Sequence, residues 1–239
     1  MRGPVGELRA FVNAALIQKV ERDHRDPDDV FRRRQVVAAV TFVVGSAVLA
    51  WALRITPGDP LFYVATLALA AVWLVGALVS GPLHAGMGHT RRGETARPIV
   101  QSLVLGVLLL VVFLVGALVV ARIPVLREPV DQLLDHARFG AFAAVLAITF
   151  VNGVVEELYF RGALYAALPR HQVTLTTLLY ALTTVGSGVP LLVLAAGALG
   201  LVTGLQRRVT GGFLGPIITH VVWSTGMLVL LPPALSLTR

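Results

Sequence analysis

Long apolar runs recur along this chain, over residues 35–55, 61–83, 99–121 and 213–231, and polar residues are sparse in each. About twenty apolar residues in a helix cross a bilayer. No water is available there, so each backbone N–H and C=O must find its partner inside the segment, and such runs fold as helices. The composition agrees. Of 239 residues, 56% are hydrophobic and only 14% charged, against about 25% charged in soluble domains. The expected fold is all-α, a polytopic transmembrane helical bundle of about seven spans with an N-terminal amphipathic helix. Three parts are expected: a charged arm at 1–34, three spans at 35–138, and a core at 139–239.

In the arm, Leu8, Phe11, Val12, Ala15, Leu16 and Val20 share one side, as in a helix lying on a membrane or on the bundle. A mixed-charge linker follows and ends in Arg32, Arg33 and Arg34. Two later apolar segments, 173–185 and 191–205, are short for full spans, which suggests helices shielded by protein or facing a cavity. The second carries Ala196, Gly200 and Gly204, a ridge for close helix packing.

The net charge is +7, and all but one of the 20 basic residues are arginine. These arginines flank apolar spans, so they read as topology signals and contacts to membrane lipids, not as a nucleic-acid surface. The arm, the 84–98 loop, Arg161, Arg170, Arg207 and Arg208 fall on one side. The positive-inside rule then places the N-terminus in the cytoplasm and the C-terminus outside, for an integral protein of a bacterial plasma membrane. There is no cysteine, hence no disulfide and no thiolate metal site. His84 and His89 lie in one loop without an evident third ligand.

The chemistry concentrates in TFVNGVVEELYFRGALY, residues 149–165. An ionisable group at membrane depth costs about 2.5–3.5 kcal/mol on insertion scales, so three in one helix need a reason. Glu157 and Arg161 are four apart and can pair. Glu156 lies about 100° round the helix, on a polar stripe with Thr149, Asn152 and Tyr159. This fits a catalytic carboxylate facing a cavity while its neighbour holds the arginine. It also fits a structural ion pair beside a solvated helix end. His220 sits within another apolar helix with Ser224 four residues on, and Tyr180 and Thr184 share a face between them.

Glu156-Glu157-x-x-x-Arg161 followed by His220-x-x-x-Ser224 resembles the motifs of the CPBP family. That family comprises membrane-embedded metalloproteases and includes the type II CAAX prenyl endopeptidases and abortive-infection or immunity-type relatives. The resemblance covers about residues 139–230. The first family motif is matched in full. The second, Phe-x-x-x-His, reads Tyr180 to Thr184 here, and the third, His-x-x-x-Asn, ends in Ser224. The resemblance implies a membrane-embedded endopeptidase whose cavity opens to the cytoplasm and whose substrate is a peptide or membrane protein. It makes Glu156, Glu157, Arg161 and His220 the catalytic set, with Asn152, Tyr159, Tyr180, Thr184 and Ser224 in support. Glu156 would activate water, and a zinc ion would be held by Glu156 and His220. The alternative is a relative without catalysis, a membrane scaffold or immunity-type partner.

Overall fold

The computed structural model describes residues 3–22, 26–90 and 93–236, with the side chains of 136 and 137 left aside. Helix α1 (Pro4–Val12) runs into a short π turn at Asn13–Ile17. Then follow α2 (Asp28–Ala52), α3 (Leu61–Ser80), a small hairpin of β1 (Gly88–His89) and β2 (Thr95–Ala96), α4 (Ile99–Val120) and α5 (Pro124–Arg138). Next come α6 (Phe142–Glu157), a π segment at Leu158–Leu164 and one turn of α7 (Tyr165–Ala167). Helices α8 (Gln172–Thr184), α9 (Pro190–Thr210) and α10 (Leu214–Ser236) complete the bundle.

Six helical stretches among the described residues are long and apolar enough to cross a membrane: α2, α3, α4, α6 to α7, α9 and α10. The remaining expected span is α8. Its 13 residues reach only about 20 Å, short of a hydrocarbon core about 30 Å thick. It packs along α9 instead. Helix α9 is longer than its apolar run, because Gln206 and Arg207 are buried and internally bonded at its end.

Small residues set the helix contacts, as expected where lipid supplies no hydrophobic drive between helices. The Trp73 ring of α3 lies over Gly45 of α2, and Thr41 of α2 lies over Gly76. On the other flank Leu110 of α4 lies over Gly226 of α10, and Val222 lies over Gly106. Between these pairs Trp73 stacks on Tyr159 at 4.5 Å and tilts against Phe160 at 5.2 Å.

The two ends of the bundle differ. At one end lie the arginines: Arg34 donates to the Pro82 carbonyl, Arg22 to the Val209 and Arg208 carbonyls, Arg207 to the Arg161 carbonyl and Arg97 to the Gly86 carbonyl. At the other, α5 lies across the bundle, braced by Arg127, Asp131, Asp135 and Arg138. Its apolar face joins a small core with Ala117, Ala121 and Leu235 through Leu134.

At the arginine end, the 84–87 segment and the turn after α9 interlock. Phe213 N–H donates to the His84 carbonyl, Leu214 N–H to Ala85 and Met87 N–H to Thr210. The crossing leaves no room for a side chain, since a Cβ on Gly212 would sit 2.0 Å from the Ala85 carbonyl carbon. Gly212→Ala is therefore expected to cost about 1–3 kcal/mol through forced backbone movement. Gly197→Ala, where nothing lies within 4 Å, should be neutral or stabilising by up to about 1 kcal/mol. Thermal unfolding of the two variants in detergent tests this, and equal midpoints would contradict the interlock.

Candidate functional site

Three helices deliver the polar residues to one place. The end of α6 brings Asn152, Glu156 and Glu157, the end of α8 brings Tyr180 and Thr184, and α10 brings His220 and Ser224. Asn152, Glu156, Tyr180, Thr184, His220 and Ser224 line one cavity of about 610 Å³.

The two glutamates have different surroundings. Glu157 is fully buried, and its Oε1 accepts from Arg161 Nη1 at 3.2 Å and lies 2.9 Å from His220 Nδ1. A carboxylate only accepts, so the His220 proton sits on Nδ1 and Nε2 is left for other partners. Arg161, also fully buried, donates its Nη2 to the Gly200 carbonyl at 3.3 Å. Its guanidinium lies 4.8 Å from the Tyr180 ring centre. Glu156 belongs to the cavity, and its Oε2 accepts from the Tyr180 hydroxyl at 2.8 Å.

Several expectations change here. The ring expected to work with Glu156 alone has Glu157 as its direct partner, so Glu157 bridges His220 and Arg161. Tyr159 does not line the cavity. Its hydroxyl donates to the Ala38 carbonyl at 2.7 Å and its ring stacks on Trp73. The α-helical period that put it beside Glu156 stops at Glu157, where the π segment begins. The cavity also runs the other way. From Glu156 and His220 it extends past Leu53, Val120, Leu134 and Leu235 toward α5, not toward the arginine end. That end is filled by buried Arg161, Thr203, Gln206 and Arg207.

Asn152 donates to Ile148 of its own helix at 3.0 Å, and its Oδ1 has no partner. Thr184 and Ser224 donate to carbonyls of their own helices, at Ala181 and Val221. The role of α5 was missing from the sequence reading. Leu126, Val130, Leu133 and Leu134, at i, i+4, i+7 and i+8, carried the signal for its apolar face, and the last three line the cavity.

The residues do not fit a resident zinc ion. A catalytic zinc site takes three protein ligands plus water. The cavity offers the Glu156 carboxylate and His220 Nε2, and Thr184 stands where a second imidazole would be needed. Among the described residues, no group of three or more His, Cys, Asp and Glu side chains could hold a metal.

The Glu157 bridge generates a stability contrast. Glu157→Gln leaves Arg161 without its countercharge, and breaking a buried pair from one side costs about 3–5 kcal/mol. Glu156→Gln keeps an oxygen for Tyr180 and should lose far less. Unfolding midpoints of the two variants in detergent separate the roles, and equal losses would refute this division.

Comparison with known proteins follows the same residues. A family model described as Type II CAAX prenyl endopeptidase Rce1-like matches residues 138–226. No curated protein and no solved structure matches the chain. The matched segment holds both glutamates, Arg161, Tyr180, Thr184, His220 and Ser224, and over these residues the chain is similar to the Rce1-like, CAAX-protease-like membrane proteins.

Proposed function

We propose that the cavity hydrolyses a peptide bond at membrane depth, with Glu156 as general base. One observation carries this reading: of two adjacent carboxylates, Glu157 is engaged by Arg161 and His220, whereas Glu156 faces the cavity with one oxygen bonded only to Tyr180. Tyr180 fixes the carboxylate through Oε2 and leaves Oε1 for water. In the proposed step Oε1 takes one proton from water as its oxygen attacks the peptide carbonyl carbon. His220 Nε2 accepts a hydrogen bond from the water's other O–H, which stays on the attacking oxygen, and so orients it. Glu156 then gives the proton to the departing amine as the C–N bond breaks. Thr184 and Ser224 line the cavity and would serve the oxyanion by rotating their hydroxyls away from the Ala181 and Val221 carbonyls. The long apolar wall suits a hydrophobic segment lying along the cavity with its scissile bond at the polar end.

The replacement of an imidazole by Thr184 favours a second reading, a scaffold that binds such a segment without cleaving it. Purified protein in lipid nanodiscs, given fluorogenic peptides with and without a prenyl chain, decides between them. For an enzyme, Glu156→Gln should lower kcat at least about a hundredfold with binding unchanged, and Tyr180→Phe should act in the same direction more weakly. Binding of the same peptides without cleavage, unaffected by Glu156→Gln, would establish the scaffold.

The charge distribution further suggests that the arginine end faces the cytoplasm of a bacterial cell. The α5 end, and with it the cavity mouth, then faces the outer side. The chain contains no cysteine, so single substitutions report orientation directly. In intact cells Glu128→Cys should react with a membrane-impermeant thiol reagent and Glu94→Cys should not. The reverse pattern would place the cavity mouth on the cytoplasmic side.

A further inference from the structure

Two buried arginines at the arginine end, Arg207 and Arg34, keep guanidinium nitrogens that no described residue bonds. Arg207 is 6% exposed, and its guanidinium lies 5.0 Å from the Tyr165 ring centre. Its Nε donates to the Arg161 carbonyl, while its two terminal nitrogens meet no acceptor among the described residues. Arg34 is 1% exposed. Its Nε pairs with Asp26 at 2.7 Å and its Nη2 reaches the Pro82 carbonyl, but its Nη1 is buried without a partner. The Tyr165 hydroxyl likewise makes no hydrogen bond to a described residue.

Two neighbours feel the charge of this end. The His84 ring is held below its ordinary pKa by burial, then by the positive charges of Arg207 and Arg34, with Asp26 opposing. Burial also lowers the Arg22 guanidinium, and Tyr165 opposes that effect. Arg22 caps the end of α9, with Nη2 2.7 Å from the Arg208 carbonyl. Arg22, Arg34 and Arg207 thus share this end of the bundle, and Asp26 is the one carboxylate among the described residues that bonds any of them. The unpartnered Arg34 Nη1 and the Arg207 charge, which no described carboxylate bonds, are both costly when buried. An anion relieves both at once.

We propose that Arg34, Arg207 and Tyr165, with Arg22 and His84 at the edge, form a binding site for a phosphate-type anion. Guanidinium forks match the oxygens of a phosphoryl group in paired hydrogen bonds, and the phenol supplies a further donor. The site lies at the bundle end formed by the start of α2, the end of α3 and the end of α9. A phospholipid headgroup and free phosphate carry the same recognised chemistry there. The site is separate from the Glu156 cavity and does not depend on hydrolysis.

The test uses the full chain, delipidated in detergent and titrated with inorganic phosphate, and in parallel reconstituted in phosphatidylcholine with or without phosphatidylglycerol. A rise in unfolding midpoint with inorganic phosphate identifies a free anion. A rise only with phosphatidylglycerol identifies a lipid headgroup. Arg207→Gln should weaken the effective probe at least about tenfold, and Arg207→Lys, which keeps the charge but loses the fork, should fall between. Tyr165→Phe removes one hydroxyl and keeps the ring under Arg207, so it should fold and bind several-fold less tightly. Arg208→Gln, whose Nη2 bonds Leu16 in the N-terminal arm, should bind as the parent does. If neither probe shifts the parent protein, or if Tyr165→Phe and every folded Arg207 variant bind like it, the site does not exist.

Discussion

A single buried carboxylate holds the centre of this bundle. Glu157 joins α6 to α10 through His220, and through Arg161 to the Gly200 carbonyl of α9. In a low-dielectric interior a lone charge is prohibitive, and a charge with its partners in place is tolerable only while the geometry holds. The three helices are therefore tied to one another by electrostatics as much as by packing. Glu156, one residue earlier, inherits a fixed position from that arrangement and bonds only Tyr180. Constraint on one glutamate leaves its neighbour available for chemistry.

How much of this could be read from the amino acids alone depended on the range of the interaction. The spans followed from hydropathy, and the Glu157–Arg161 pair followed from a four-residue spacing. That α6, α8 and α10 meet came from the family resemblance, because no local rule connects residues 156, 184 and 220. Which glutamate His220 faces was not legible, since the rotation of α10 is set by Gly226 against Leu110 and Val222 against Gly106. Tyr159 was misplaced because a π segment has no hydrophobic signature of its own. The length of α9 was underestimated because Gln206 and Arg207 look like a helix end until Ser102 and the Arg161 carbonyl are seen to receive them.

The direction of the cavity is the larger correction. Positive charge marks one end of the bundle, the end at which the family resemblance places the cavity mouth. Long arginine side chains instead fill that end, with Arg207 buried against Tyr165 and Arg22 strapped over the end of α9. The free volume lies in the opposite half, under α5. Buried polar groups and long side chains close one half of the bundle, and the other half keeps its free volume.

The π segment has a bearing on the history of the chain. A π turn accommodates one residue more per hydrogen-bonded ring than an α turn, so the stretch 158–164 is a helix with a surplus residue absorbed in place. Losing one residue within it has an α-helical register to fall into, whereas a loss within 142–157 has no such slack and turns every upstream side chain relative to both glutamates. Length variation among descendants of this sequence should therefore be tolerated just behind the glutamates sooner than just ahead of them. The side of the helix that faces the cavity would be inherited as a fixed frame.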